Sequence, residues 1–229
     1  MSMDALNDLI DSVIGNPPTM SMYEFDEFKY CKVNKNLSIY SGVANLNVYS
    51  TTGNKISIYL TGKGNSTKEF KFEINETKDK TDIRFYTNGD TENVDIKMDI
   101  YLPDTKFDNI KIESFKGNID IVSESINCKS IDIFSPSGSI NCNCTFENIK
   151  AHTIEKEISI CIYANTNINI NASSCKGNIA LYLSNIKSLK FPKKSCSGII
   201  YNNFVKNAYK PYIAVASIRS EKGKINIYS

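Results

Sequence analysis

The sequence predicts an all-β fold, a two-sheet β-solenoid that follows a short N-terminal amphipathic helix. The first observation is a change in hydrophobic period from 3.6 residues near the N-terminus to 2 residues from about residue 28 onward. The second is an S-x-x-G-x-I motif that recurs roughly every 20 residues in the second half of the chain. At 229 residues, 41% hydrophobic and 23% charged, the chain has the size and composition of a globular protein with a proper core.

Residues 1–18 are predicted to form a helical cap or arm. Gly15, followed by Asn16-Pro17-Pro18, would stop this helix. The apolar residues that share one helical face are Leu6, Leu9, Ile10 and Val13. The helix would cover an open end of the β-core or dock on a partner chain. Its acidic polar face argues against binding to an anionic membrane surface.

Residues 19–92 are predicted to be an irregular β region continuous with the solenoid. Short alternating segments such as residues 37–39 and 70–74 are separated by polar turns such as residues 88–90. Antiparallel strand pairs, early solenoid coils and a separate β-sandwich all fit this pattern, and the sequence does not separate them.

Residues 93–229 are predicted to be regular solenoid repeats of about 20 residues. The motif occurs at residues 114–119, 135–140, 174–179, 195–200 and 220–225, and at residues 153–158 with Lys156 in the glycine position. Second strands such as residues 131–133 lie midway between motifs, so each repeat holds two strands. The glycine is expected at a tight turn, where it accepts a positive φ. Stacking would join the inward Ile, Leu and Cys residues into one core.

The seven cysteines are predicted to be mainly small buried residues. Cys142 and Cys144 are spaced i, i+2, which places both side chains on the same face of a strand. Cys175 and Cys196 hold the same place in successive repeats, so they are expected to be stacked neighbours. Whether they form a disulfide is left open. No CxxC pair occurs and His152 is the one histidine, so the usual zinc-site patterns are missing.

The outward positions of the repeats are mostly polar. They include Lys111, Asp120, Asn127, Asp132, Asn141, Lys150, Ser159, Asn167, Asn169 and Asn226. This surface is either a solvated wall or a flat polar platform that binds a glycan or another protein.

The S-G-x-I-x-I repeats around glycine turns resemble the bacterial putative-adhesin families of domains of unknown function. The resemblance covers about residues 94–229. It implies a right-handed β-helical fold and an adhesive or surface role, usually behind a signal sequence or a membrane anchor. It defines no catalytic residues, so none carry over.

The sequence assigns no catalytic, cofactor-binding or metal-binding residue. His152 is predicted to be an outward surface residue. The nearest approach to a lyase site is Asp120 and Asp132 with Lys150, and a second carboxylate pair is Asp99 with Asp104. The calcium-binding nonapeptide and the EF-hand loop are absent from the sequence.

Net charge and hydropathy restrict the classes of partner that the protein is expected to bind. A net charge of +2 with interspersed signs gives no concentrated basic face for nucleic acid. No run of 18 apolar residues occurs, so no membrane-inserted helix is expected. Residues 1–18 lack the features of a signal peptide, which predicts a cytoplasmic protein. A start codon or anchor upstream would instead place the protein at the cell surface.

These observations favour a non-enzymatic, adhesin-like binding protein that presents a repeated polar solenoid face to a glycan or protein. One alternative is a structural solenoid that self-associates through its C-terminal strand, residues 224–229, which is predicted to be an open edge. A third interpretation is a β-helical polysaccharide lyase or hydrolase.

Overall fold

The computed structural model describes residues 19–122, 126–192, 194–196 and 199–229, with the backbone alone for residues 194–196. Within these ranges the protein is all-β and contains no helix. The helix predicted for residues 1–18 lies outside the described residues. The strands are β1 (Ser21–Cys31), β2 (Asn36–Ser41), β3 (Asn45–Thr51), β4 (Ile56–Ser66), β5 (Lys71–Glu76), β6 (Lys80–Tyr86), β7 (Thr91–Pro103), β8 (Phe107–Ser114), β9 (Ile119–Val122), β10 (Cys128–Ser135), β11 (Ile140–Cys144), β12 (Asn148–Thr153), β13 (Ile158–Tyr163), β14 (Ile168–Ser174), β15 (Ile179–Ser184), β16 (Ile186–Lys190), β17 (Lys194–Cys196), β18 (Ile200–Asn202), β19 (Tyr212–Ser220) and β20 (Ile225–Tyr228).

The strands form two sheets. Sheet A has the order β1-β4-β7-β3-β9-β11-β13-β15-β20-β18, and sheet B has the order β16-β19-β14-β12-β10-β8-β2-β6-β5 with β17 also paired to β19. From β8 to β15, successive strands alternate between the sheets and each pairs in parallel with its equivalent one coil away. The predicted all-β, two-sheet repeat fold is therefore confirmed. The right-handed winding stays a prediction.

The two sheets enclose one core of inward ladders. In sheet A, one ladder consists of Leu46, Ile119, Ile140, Ile158, Ile179 and Ile225, all buried and in register. Each fully buried Ile contributes roughly 1.5–3 kcal/mol to stability relative to an exposed one. Cys142 and Cys144 both point into this core, as their spacing predicts.

The S-x-x-G motifs at residues 114–117, 135–138, 174–177 and 220–223 each form a hydroxyl bridge between neighbouring coils, as does Thr153 in the motif with Lys156. Ser114 Oγ accepts a hydrogen bond from the Gly117 N–H at 3.0 Å and donates one to the Ala44 carbonyl oxygen at 3.0 Å. The same pair of bonds is made by the hydroxyls of Ser135, Thr153, Ser174 and Ser220. In each of these five turns the motif hydroxyl therefore satisfies a backbone N–H and a backbone C=O.

The prediction that the motif glycines adopt positive φ was wrong for Gly117, Gly138, Gly177 and Gly223. Among the described glycines, the positive φ belongs to Gly62, at 117°. The motif glycines are needed for a different reason, which is the close approach of the coils. A Cβ on Gly138 would collide with the Gly117 carbonyl, and a Cβ on Gly223 would collide with the Gly177 carbonyl.

The stack does not follow chain order at its ends. The coil of β2 and β3 lies between the coil of β6 and β7 and the coil of β8 and β9. At the other end, β19 and β20 lie between the coil of β14 and β15 and the strands β16 to β18.

This order corrects the prediction of an open C-terminal edge. β20 pairs with β15 on one side and with β18 on the other, so residues 224–229 do not form a free edge strand. The sequence pattern shows a strand that runs to the end of the chain, but it does not show which strand covers it.

The same order separates Cys175 from Cys196. β19 lies between β14, which ends just before Cys175, and β17, which ends at Cys196. Two strand spacings amount to about 9–10 Å, beyond the roughly 4.4–6.8 Å between Cα atoms of a disulfide. The prediction that Cys175 and Cys196 lie on adjacent coils was therefore wrong, because the backbone of β19 separates them. Cys175 carries a free thiol, and the side chain of Cys196 lies outside the described residues.

The N-terminal end of the stack is closed by antiparallel strands. β4 pairs with β7, β1 pairs with β4, and β5 pairs with β6. Phe25, Phe70 and Phe85 pack against one another beneath these strands, with ring centroids 5.3–5.5 Å apart. The strands of residues 19–92 therefore share the two sheets and the core of the repeats.

Candidate functional site

The polar positions predicted to face outward lie on two opposite faces. Asp120, Asn141, Ser159 and Asn226 share the outer face of sheet A. Lys111, Asp132, Lys150 and Asn169 lie on the outer face of sheet B, whereas Asn127 and Asn167 precede its strands β10 and β14. The predicted platform is therefore divided between two walls.

The candidate carboxylate groups do not come together. Asp120 lies on sheet A and Asp132 on sheet B, so they cannot share a cleft. Asp132 instead forms a surface ion pair with Lys150, at 2.9 Å. Asp99 and Asp104 line different grooves.

His152 points to the outer face of sheet B, as predicted, and is half-buried there. Its Nδ1 lies 2.7 Å from Ser173 Oγ, and its ring stacks on Phe134 with centroids 5.4 Å apart. It lines a cavity of about 610 Å³ together with Arg219 and Glu221. Those two side chains pair with each other at 2.8 Å, which satisfies the charged groups of this cavity.

Three buried thiols, those of Cys31, Cys128 and Cys142, are held in their protonated form. Burial raises the pKa of Cys31 to about 12, with a smaller contribution from the negative charge of Glu76, and burial raises that of Cys128 to about 11. The hydrogen bond with Cys144, together with burial, raises the pKa of Cys142. The two sulfur atoms of this pair lie 3.2 Å apart. Because the thiolate is the nucleophile and the metal ligand, these residues act as core side chains.

Two further classes of site are absent from the described part of the chain. No group of three or more His, Cys, Asp or Glu side chains there is placed to hold a metal ion. None of the described residues forms a helix long and apolar enough to span a membrane.

Aromatic side chains form a continuous group on the outer face of sheet A, at the end of the sheet that is built from the first strands of the chain. We call it the aromatic cluster, and it consists of Tyr30, Phe28, Tyr59, Tyr101 and Tyr49. They come from β1, β4, β7 and β3, which are successive neighbours in the sheet. Tyr59 and Tyr101 point outward because they alternate with buried residues of β4 and β7.

The rings form a continuous contact chain. The centroid distances are 4.3 Å for Tyr30–Phe28, 4.2 Å for Phe28–Tyr59, 5.7 Å for Tyr59–Tyr101 and 5.1 Å for Tyr101–Tyr49. Tyr30, Phe28 and Tyr59 remain 59%, 40% and 43% exposed. Large aromatic surface left in water on a rigid sheet is typical of an interaction site.

The aromatic cluster borders a groove of about 500 Å³. The described residues that line it are Phe28, Tyr30, Tyr59, Tyr101, Thr51, Ser57, Thr61 and Asp99. They supply aromatic rings, hydroxyl groups and one carboxylate, and none of them is aliphatic. The groove therefore combines ring surface with hydrogen-bonding groups.

A polar pair fixes the carboxylate of the groove. Asn47 Nδ2 donates to Asp99 Oδ1 at 2.6 Å, which leaves other lone pairs of the carboxylate available to a ligand. Partial burial raises the pKa of Tyr49, and the negative charge of Asp99 raises it further. The Tyr49 hydroxyl thus stays protonated near neutral pH.

The sequence indicates the outward direction of two rings of this cluster. In Ile58-Tyr59-Leu60 and Ile100-Tyr101-Leu102, an outward tyrosine stands between two inward aliphatic residues. Period 2 shows that each ring points outward. It does not show that β1, β4, β7 and β3 lie side by side, so the cluster was missed.

Comparison with known proteins identifies the fold. The Toastrack DUF4097 family model matches residues 34–227. No curated protein matches the chain. A Clostridium sporogenes crystal structure named a putative cell adhesion protein is 15% identical, covers 90% of this chain and 99% of its own, and has a TM-score of 0.55. A putative adhesin from Bacteroides fragilis is 13% identical over 93% of this chain and 100% of its own, with a TM-score of 0.47. At these identities the first likeness shows the fold alone.

Proposed function

This chain belongs to the Toastrack DUF4097 family, and from the surface of its solenoid we propose that it is a non-enzymatic, adhesin-like protein that binds glycans. The binding site is the aromatic cluster with the adjoining Asn47–Asp99 pair. The carrying observation is the composition of the groove, where ring surface and hydrogen-bonding side chains occur together on a rigid sheet. A likeness in fold to a putative cell adhesion protein is compatible with this role.

A sugar has two kinds of surface, which match the aromatic rings and the hydrogen-bonding side chains of the groove. A pyranose presents an apolar C–H face and a rim of hydroxyl groups. The rings of Phe28, Tyr30 and Tyr59 offer apolar surface with the negative π-face that attracts polarised C–H groups. Asp99 accepts hydrogen bonds from sugar hydroxyls, and Thr51 and Thr61 can both donate and accept.

The composition of the groove favours a glycan over a protein partner. The core of a protein–protein interface is mostly apolar and depleted of charged residues, whereas this groove has no aliphatic lining residue among those described and includes Asp99. For the two other interpretations, support is weaker. The C-terminal strand proposed for self-assembly is covered on both sides, and the candidate carboxylates of an enzyme lie apart.

A glycan array tests the proposal. The purified protein is applied to immobilised neutral oligosaccharides, and its affinity for each bound sugar is then measured by calorimetry. We expect Tyr59→Ala and Tyr101→Ala each to weaken binding at least tenfold, because each removes ring surface from the groove. Tyr209→Ala is the matched control, since Tyr209 is 99% exposed and lies outside the cluster.

Two results would overturn the proposal. The first is a protein that binds no neutral glycan on the array. The second is a Tyr59→Ala variant that binds as tightly as the native chain with an unchanged thermal midpoint. Capture of a protein through the cluster, without sugar binding, would assign the site to a protein partner instead.

An adhesive role requires the cell surface. We propose surface exposure as part of the function. Labelling intact cells with a membrane-impermeant amine reagent tests it, because the lysines of the solenoid react when the protein is outside. A protein labelled only after lysis would contradict surface adhesion.

A further inference from the structure

We infer that the ligand is a linear, neutral polysaccharide that runs along the stacking axis of sheet A and contacts a second aromatic site about four coils away. This inference rests on the proposed glycan binding and adds the class of glycan. The second site is the stacked pair of Tyr182 and Tyr228, whose ring centroids lie 4.9 Å apart with an interplanar angle of 12°.

The two aromatic sites belong to one row of the sheet. Backbone register places the following residues in line on the outer face: Tyr101, Tyr49, Val122, Asn143, Cys161, Tyr182 and Tyr228. We call this line the tyrosine row. Tyr49 and Tyr182 are separated by four strand spacings, or about 19 Å. A ligand must therefore be extended to reach both.

The side chains between the two sites are shorter than tyrosine. Tyr49 stacks on Tyr101 and Tyr182 stacks on Tyr228, so the opposite faces of Tyr49 and Tyr182 are directed toward each other along the row. Val122, which is 56% exposed, and Asn143 and Cys161 lie between them. The row thus forms a shallow trough with an aromatic ring at each end.

A polar row runs beside this trough. Two residues earlier along each strand, the register aligns Asp99, Asn47, Asp120, Asn141, Ser159, Ala180 and Asn226. We call this line the amide row. Asn141 Nδ2 donates to Asp120 Oδ1 at 2.7 Å, which repeats the Asn47–Asp99 bond two coils further on. Hydrogen-bonding side chains therefore accompany the trough from the first aromatic site to Ser159, one coil before Tyr182.

The charge of the two rows indicates a neutral polymer. Asp99 and Asp120 are the charged members of the rows, and both are carboxylates. They would repel a uronic acid or sulfated chain laid along the trough. They accept hydrogen bonds from the hydroxyl groups of an uncharged sugar.

The test measures affinity against chain length. A neutral oligosaccharide that binds on the array is prepared as a series of increasing length with a single linkage type. We expect affinity to rise at least tenfold once the chain spans about 19 Å, because contact at the second site becomes intramolecular. Tyr182→Ala should remove this rise and leave binding of the short members unchanged. Tyr59→Ala should weaken every member of the series.

The outcomes separate this inference from the proposed function. Short chains that bind without any gain in affinity at greater length would overturn the extended site and leave glycan binding intact. Absence of binding at every length would overturn both. A Tyr182→Ala variant that keeps the length dependence, or tighter binding of an anionic polysaccharide of equal length, would also overturn the inference. Tyr209→Ala serves again as the control and should follow the native curve.

Discussion

Ser135 Oγ lies 2.9 Å from the carbonyl oxygen of Gly117, one coil away, and donates a hydrogen bond to it. The same hydroxyl accepts a bond from the N–H of Gly138 at 3.0 Å. Both bonds are buried, so water cannot replace the hydroxyl. The serine of the repeat therefore joins successive coils through their turns.

We expect Ser135→Ala to lower the free energy of unfolding by about 1–3 kcal/mol, because it leaves a buried N–H and a buried C=O without a partner. Urea unfolding followed by circular dichroism measures the loss. Ser135→Thr should retain most of the stability, since Thr153 makes the equivalent bond to the Gly138 carbonyl at 3.1 Å.

The matched control is Ser139→Ala. Ser139 lies four residues away, and its hydroxyl bonds to Asn118 Oδ1 at an exposed position. Its loss should change stability by no more than about 0.5 kcal/mol. Equal losses for Ser135→Ala and Ser139→Ala would contradict the role assigned to the buried bridge.

We predict that Gly138→Ala destabilises the solenoid by about 1–3 kcal/mol, as overpacking does elsewhere. The added methyl would collide with the Gly117 carbonyl, so the coils would have to separate. Gly53→Ala is the control, because a Cβ there meets only the Thr51 side chain at 3.7 Å. Thermal unfolding of the two variants would show whether the close approach matters. A Gly138→Ala variant with the same thermal midpoint as the native protein would show that the close approach of the coils does not exclude a Cβ at this position.

The covered position of β20 can be tested at Ile225, which is in register with Ile179 on one side and Ile200 on the other. Ile225 is completely buried. We expect Ile225→Ala to cost about 2–5 kcal/mol and Ile200→Ala to cost less, because the Ile200 side chain is only half-buried. Comparable small losses would mean that β20 is an edge strand after all. Slow hydrogen exchange of the Ile225 amide, which donates to the Ile199 carbonyl at 3.1 Å, is an independent measurement.

Stability should fall at alkaline pH. The folded pKa values of Cys31 and Cys128, about 12 and about 11, lie above the ordinary value of 9.0 for an exposed thiol. The folded state therefore holds these protons more tightly, and their contribution, complete below about pH 9, is lost as the pH rises toward 11–12.

Thermal midpoints between pH 7 and 11 measure this dependence. Cys31→Ala and Cys128→Ala should each flatten the alkaline decline, whatever they do to stability at pH 7. Native and variant curves of identical slope would show that these buried thiols do not control the decline.

Local pattern predicted the repeats well, because side-chain direction and turn chemistry are local properties. Alternation placed Ile140 and Cys142 inward, and the S-x-x-G spacing located the turns. The coil of β2 and β3 was not recognised as a repeat, although Ser41 Oγ accepts the Ala44 N–H at 2.7 Å as in the other motifs. Alanine stands in the glycine position there, so the motif was hidden.

Strand order could not be predicted by the same reasoning. The coil of β2 and β3 lies beside that of β8 and β9, with about 70 residues of chain between paired strands such as those of Leu37 and Ile110. Nothing in a local pattern specifies such a partner. The aromatic cluster depends on this order, since its rings come from β1, β4, β7 and β3, and it was missed for that reason.

The insertion of β19 and β20 into the stack affects the order in which this end of the solenoid can fold during synthesis. In a simple repeat array each new unit adds to the one made before it. Here β16, β17 and β18 leave the ribosome before the strands against which they finally lie. These three strands lack their final pairing partners until Tyr228 has been added. The far end of the stack therefore becomes native only after β19 and β20 have been synthesised, although three of its strands precede them in the chain.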